Sequence, residues 1–189
     1  MASFISLLNL TLGVTTVVCQ AGILTILILA LFLRKEGQKV LSWFGENSLV
    51  IIFIITLGSV AGSTLYSNVI GYPACTLCWW ERIFLFPQAL IAAVALYRKQ
   101  GDAGAYLWPL SVCGTLVAAY HSYIQYWGSP LTLCSTDIIS CTERFVFMFG
   151  YITLPLMALT AFVSILVLLW IKRPGARLAP AADRKPADV

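Results

Sequence analysis

"YPACTLCWWERIFLFP" (Tyr72–Pro87) carries two cysteines two residues apart, a tryptophan pair, the charged doublet Glu81–Arg82 and then an apolar run. Such a C-x-x-C pair is a metal clip, a structural staple or a working dithiol, depending on its surroundings. The rest of the chain decides what those surroundings are. Of its 189 residues 60% are hydrophobic and 11% charged, less than half the charge of about 25% usual in a soluble domain. The charges are bunched between long apolar stretches, the pattern of a membrane protein.

Five spans follow: Leu10–Leu33, Ser48–Ile70, Trp79–Tyr97, Tyr106–Trp127 and Phe145–Ile171. Each is close to the roughly 20 residues that cross a hydrocarbon core of about 30 Å as a helix, and none alternates like a barrel strand. Residues 1–9 hold no Lys or Arg, and the first apolar run is too long for a signal peptide, so it is expected to be retained. Pro155 falls inside the fifth span and is expected to kink it.

Orientation comes from the basic residues. Arg34, Lys35 and Lys39, then Arg98 and Lys99, then Lys172, Arg173, Arg177, Arg184 and Lys185 make ten of the 12, all on one face. Only Arg82 and Arg144 lie on the other. The positive-inside rule makes the first face cytoplasmic and places the N-terminus outside. The net charge of +4 is therefore topological, with lipid as the medium and no nucleic-acid partner expected.

Cys75, Cys78, Cys134 and Cys141 then face a compartment where disulfides persist, whereas Cys19 and Cys113 fall within spans as small packing residues. Residues 1–47 are read as a first span with its cytoplasmic loop, 48–172 as the main membrane domain, and 173–189 as a disordered cytoplasmic tail. Gly58 and Gly62, with Ser59 and Ser63, suit close helix approach, and Gln20 suits an interhelical hydrogen bond.

Three readings of the outer cysteines remain open. Zinc is disfavoured, because six residues separate Cys134 from Cys141 rather than two to four, so no metal is expected. A structural disulfide accounts for Cys134 and Cys141, but poorly for Cys75 and Cys78, where a two-residue loop removes little chain entropy. A redox-active pair suits Cys75 and Cys78, with a helix starting at about Cys78 to favour thiolate. Arg82 lies one helical turn beyond Cys78, either serving that sulfur or pairing with Glu81 or snorkelling. His121 and Gln125 share a face of the fourth span at a similar depth. An Arg, a His and a Gln beside a reactive thiol suit a carbonyl-bearing electron acceptor such as a membrane quinone.

"PACTLCWWER" (Pro73–Arg82), "AYHSYIQYWGSP" (Ala119–Pro130) and "CTERFVFMFGYITLP" (Cys141–Pro155) resemble the DsbB/BdbC disulfide bond formation proteins of bacteria, over about residues 48–172. The resemblance implies an all-α, integral membrane four-helix bundle, here with one additional N-terminal transmembrane helix, in the bacterial cytoplasmic membrane. It implies a thiol oxidase relay in which a DsbA-like thioredoxin-fold oxidase attacks Cys134–Cys141 at Cys134. Electrons then pass to Cys75–Cys78 and on to ubiquinone or menaquinone. Cys78 would contact the quinone ring and Arg82 bind it, with His121 and Gln125 in the same pocket. The short spacing of Cys134 and Cys141 looks more like the BdbC type. A vitamin K epoxide reductase-like enzyme is the nearest rival, but there the loop pair precedes the C-x-x-C. Outside enzymes stand a transporter and a non-catalytic or chaperone-like membrane partner with structural disulfides.

Overall fold

A computed structural model of the chain describes residues 2–32, 37–99, 103–128 and 141–176. Its elements are α1 (Ala2–Leu31), α2 (Gln38–Glu46), α3 (Ser48–Thr64), α4 (Thr76–Tyr97), α5 (Gly104–Trp127) and α6 (Leu154–Ala176), with a π-helical turn at Leu65–Val69 extending α3. Helices α1, α3, α4 and α6 are long and apolar enough to cross a membrane. Helix α5, 24 residues long, completes the bundle but carries His121, Ser122 and Gln125 on its buried side. The protein is thus an all-α membrane bundle of five long helices.

The bundle closes as a ring in which α3 packs on α4, α4 on α5, α5 on α6 and α6 on α3; α1 lies outside against α6. Buried positions in α4 are Leu77, Glu81, Leu85, Gln88, Ala92 and Ala95, and in α5 they include Leu107, Ser111, Gly114, Ala118, His121 and Gln125. Both run at steps of three and four, the stripe by which a helix presents one face to its neighbours. Ile52, Leu107, Ile165 and Leu168 fill the end of the bundle nearest α2. Leu85, Ala118 and Phe162 fill the middle. Cys75, Leu77, Ile124 and Cys141 form the third cluster, at the opposite end.

Gly114 of α5 makes room for the Phe162 ring of α6. A Cβ built there would lie 2.3 Å from Phe162 Cε1 and 2.4 Å from Cζ, and Phe162 is fully buried. Overpacking of this kind costs typically about 1–3 kcal/mol. Gly114→Ala is therefore expected to lower the unfolding midpoint in detergent, whereas Gly58→Ala, where a Cβ meets nothing within 4 Å, leaves it in place.

Helix α1 is tied on by polar contacts. Gln20 Nε2 donates to Thr160 Oγ1 at 3.1 Å, its Oε1 accepts from the Tyr151 hydroxyl at 2.9 Å, and Asn9 Oδ1 accepts from Tyr66 at 2.7 Å. Gln20 is interhelical glue, as its type suggested. Gly62 admits Leu12 of α1, whose Cδ1 would sit 3.3 Å from an added Cβ. Cys19 and Cys113 are free thiols, and Cys113 is exposed on the bundle's outer surface rather than packed inside it.

Several sequence expectations change. The fifth helix starts at Leu154 rather than Phe145. Residues 145–153 instead form a tight turn closed by mutual backbone bonds between Met148 and Ile152, with Phe149 at φ +52° and Gly150 at φ +78°. Left-handed backbone at two successive residues cannot continue a right-handed helix. Pro155 accordingly sits in the first turn of α6, where its missing N–H has no intrahelical acceptor to lose, so it does not kink the span. Second, the connection after α1 contains the amphipathic α2, with Val40 and Trp43 exposed and Phe44 packed on the core. Third, α4 starts at Thr76 rather than about Cys78. At its other end α6 runs on to Ala176, past the expected boundary at residue 172. The rest of the tail expected to be disordered lies outside the described residues.

Candidate functional site

Cys75 is the N-cap residue of α4, in extended conformation at φ −73° and ψ 170°, and Cys78 is three positions inside the helix. That step folds the two sulfurs back toward each other: Cys75 Sγ and Cys78 Sγ are 3.2 Å apart as free thiols. The helix N-terminus supplies a positive partial charge at this point. The Cys78 thiol bonded to Cys75, followed by the adjoining His121 ring, holds the Cys75 thiol well below the ordinary cysteine value, although burial opposes them.

His121 and Glu81 continue the line. His121 Nε2 lies 3.7 Å from Cys75 Sγ, and His121 Nδ1 lies 2.9 Å from Glu81 Oε1. Both side chains are buried, His121 at 1% and Glu81 at 9% exposure. An ionised carboxylate only accepts, so Nδ1–H donates to Glu81 and the lone pair of Nε2 faces the sulfur. A buried carboxylate needs a partner, and the imidazole is that partner. The Cys75–His121–Glu81 line has the nucleophile, base and orienting acid of a covalent-catalysis triad.

The charged doublet therefore splits. Glu81 turns inward to His121, while Arg82 turns to α3, donating from Nε to Ser63 Oγ at 2.8 Å and from Nη2 to the Ser63 carbonyl at 3.2 Å. Its guanidinium also lies over the Trp79 ring, 5.1 Å from the centroid. This is neither the Glu81 pair nor a snorkelling arginine.

Cys141 belongs to the same end of the bundle. It is 2% exposed, disulfide-bonded, and clustered with Cys75 and Leu77. Its expected partner Cys134 lies outside the described residues. A cavity of about 20 Å³ is lined by Cys75, Cys78, Cys141, His121, Gln125 and Phe145, among others. That is room for about one water. Gln125 Nε2 donates to the Glu143 carbonyl at 2.9 Å, while its buried Oε1 has no partner among the described residues and is the acceptor such a water would meet.

Arg144 clamps this loop to α5, donating from Nε and Nη2 to the Gln125 carbonyl at 3.0 and 2.5 Å and lying over the Tyr126 and Phe147 rings. Phe145 stacks on Tyr72 with centroids 5.0 Å apart. The structure thus gathers Cys75, Cys78, Cys141, His121 and Gln125 around one cavity and leaves Arg82 outside its lining. Glu81 is the residue of this cluster that sequence reasoning passed over. Its signal was available, since Glu81 falls on the three-and-four stripe of α4 and Arg82 one position off it.

The fold and the site define a multi-pass membrane protein with a buried dithiol set against a second, oxidised cysteine. The family model "Disulfide bond formation protein DsbB" matches residues 46–172. The chain is 36% identical over 146 residues (75% of this chain and 100% of the relative) to a probable disulfide formation protein of Oceanobacillus iheyensis. It is 35% identical over 129 residues (67% and 90%) to one of Metapseudomonas resinovorans, and 30% identical over 126 residues (66% and 89%) to probable disulfide formation protein C 2 of Bacillus anthracis. No solved structure matches it. The chain belongs to the DsbB family of disulfide bond formation proteins, which supports a disulfide oxidoreductase role in the membrane.

Proposed function

We propose that the protein is a membrane thiol:quinone oxidoreductase that reoxidises an extracytoplasmic, DsbA-like thioredoxin-fold oxidase. The observation that carries this reading is the burial of Cys141 in the same cluster and cavity as Cys75 and Cys78. Two cysteine pairs that exchange must bring one sulfur of each together. The partner's thiolate attacks Cys134 and releases Cys141 as thiolate. Cys141 then attacks Cys75 of an oxidised Cys75–Cys78 bond and releases Cys78. The partner's second thiol then attacks its mixed disulfide, closing the partner disulfide and releasing Cys134 as thiolate. Cys134 attacks Cys141, restores the Cys134–Cys141 bond and expels Cys75, leaving the inner pair as the dithiol. Cys75 leaves as a thiolate beside His121 Nε2, and the ring, oriented by Glu81, carries the proton to and from that sulfur. Two electrons and two protons thus arrive at Cys75–Cys78 for each partner disulfide made.

A quinone supplies the terminal two-electron, two-proton acceptor when bound. The cavity of about 20 Å³ is too small for its ring. The residues fit it instead on the α3–α4 side, where Cys78 and Arg82 are both half-buried at the bundle surface. There Cys78 would face the ring and Arg82 offer N–H donors to a carbonyl oxygen. His121 and Gln125 act from the other side of the sulfurs, on the dithiol rather than on the ring. That placement separates residues that sequence spacing had put in one pocket.

Antiparallel alternation places the cysteine clusters at the end opposite Lys39, Arg98, Lys99 and Lys172, in keeping with an extracytoplasmic cysteine end in a bacterial cytoplasmic membrane. The test is oxidation of a reduced thioredoxin-fold oxidase added outside right-side-out vesicles, with matching loss of oxidised quinone. Arg82→Gln is expected to raise the apparent KM for quinone about tenfold or more, the cost of a charge-assisted hydrogen bond. An unchanged KM removes Arg82 from quinone binding, and oxidation confined to inverted vesicles reverses the orientation.

A further inference from the structure

We infer that the reduced site is a Zn²⁺-binding site made by Cys75 Sγ, Cys78 Sγ and His121 Nε2, and that zinc holds the protein in its dithiol state. This rests on Cys75 and Cys78 being a cycling pair, but not on the identity of the acceptor or the partner.

The three ligand atoms all lie within 4.8 Å of one another, with Cys75 Sγ 3.2 Å from Cys78 Sγ and 3.7 Å from His121 Nε2. A triangle with those sides has a point in its plane no more than about 2.4 Å from all three corners, against usual zinc distances of about 2.3 Å to sulfur and 2.0–2.1 Å to imidazole nitrogen. Full tetrahedral geometry requires the sulfurs to separate to about 3.8 Å, a small rotation of the Cys78 side chain.

The surroundings are those of a metal site as well. His121 has its other ring nitrogen on Glu81 Oε1 at 2.9 Å, the carboxylate–histidine arrangement that orients zinc-bound imidazoles. The adjoining cavity, with room for about one water, supplies the fourth ligand. Two thiolates neutralise the ion's charge. The sequence argument against zinc assumed Cys134 and Cys141 as the remaining ligands, and His121 removes that requirement.

Binding displaces the two thiol protons and transfers no electrons. A Cys75–Cys78 disulfide has no thiolates to offer, so zinc binds only the reduced form. Bound zinc occupies both sulfurs that must otherwise meet Cys141 and the acceptor, and so stops turnover reversibly.

The experiment uses the full chain in nanodiscs carrying Cys19→Ala and Cys113→Ala, reduced and freed of reductant under anaerobic conditions, with Co²⁺ as probe. The expected result is one Co²⁺ per chain with a thiolate-to-cobalt charge-transfer band and the visible bands of a tetrahedral site, displaced by Zn²⁺. The signal is retained when Cys134 and Cys141 are both serine and absent from the oxidised protein. Glu81→Gln is expected to weaken binding 10- to 100-fold, and His121→Gln and Cys78→Ser each to remove the tetrahedral signature. Unchanged helix content shows that each variant still folds, and in His121→Gln mild oxidation should still form the Cys75–Cys78 disulfide. No tetrahedral thiolate signal in the reduced protein, or the same affinity in folded His121→Gln and Cys78→Ser, overturns the inference. Because neither quinone nor partner is present, its failure is separable from failure of the oxidase reading.

Discussion

Cys78→Ser is expected to abolish turnover, lowering the rate at least about 10³-fold, and to trap a covalent link between Cys75 and Cys141. Without its neighbour, Cys75 can no longer close the inner disulfide. It remains at the N-terminus of α4, where the His121 ring and the helix dipole favour its thiolate. The nearest disulfide sulfur in its cluster is Cys141, already oxidised and shielded from solvent. Attack there displaces the Cys134 thiolate, in the pairing the family resemblance implies, and no second inner thiol is present to resolve the product. Non-reducing peptide mapping should recover Cys75 linked to Cys141. Recovery of free Cys75 with the outer disulfide intact, or undiminished turnover, would sink the relay. Cys75→Ser should be equally inactive but trap no such link, because Cys78 is less buried and farther inside the helix.

The second large effect concerns the inward-facing acid. Glu81→Gln keeps the size of the side chain but replaces an acceptor-only carboxylate with an amide that can turn its NH₂ to Nδ1, so the ring can present its N–H to Cys75 instead of its lone pair. General-base contributions of this kind are worth about 10²–10⁴-fold, and His121→Gln removes the base altogether. Both are expected to lower turnover about 10²-fold, with little change in the KM for quinone. The pH dependence separates this role from simple scaffolding.

With the Cys75 thiol held below its ordinary value, chiefly by the Cys78 thiol and next by His121, the thiolate persists as pH falls below neutrality. Alkylation of reduced Cys75 should therefore change little between pH 8 and pH 6. In His121→Gln the thiol rises part of the way toward its ordinary range, since the Cys78 contact remains, so reactivity should fall more steeply over the same interval than in the unsubstituted protein. A flat profile in that variant would leave His121 as packing alone.

Much of the architecture was legible because its causes are local or compositional. Apolar runs of helix-spanning length, basic residues segregated to alternate connections, and the Cys75–Cys78 spacing each follow from solvent, charge and helical geometry. The burial of His121 and Gln125 was legible too, since they recur on one face of α5. What misled was apolarity read as helix: Phe145–Thr153 is greasy enough to be counted in the fifth span, yet Phe149 and Gly150 take left-handed backbone. The aromatic segment then lies over the bundle's end, stacking on Tyr72.

By itself, then, the sequence determined a membrane bundle with a dithiol at its low-charge end, because hydrophobic length and cation placement act along one dimension. Only the tertiary structure decided which residues serve that dithiol. Glu81 and Arg82 are neighbours in the chain, but successive helical positions point about 100° apart. One therefore meets His121 inside the ring of helices while the other meets Ser63 at its edge. Cys141, 66 positions beyond Cys75, joins the cluster because the turn at Met148–Ile152 and the Arg144 clamp bring its loop back over α5. Contacts between separate helices depend on packing in three dimensions, and no spacing along the chain records them.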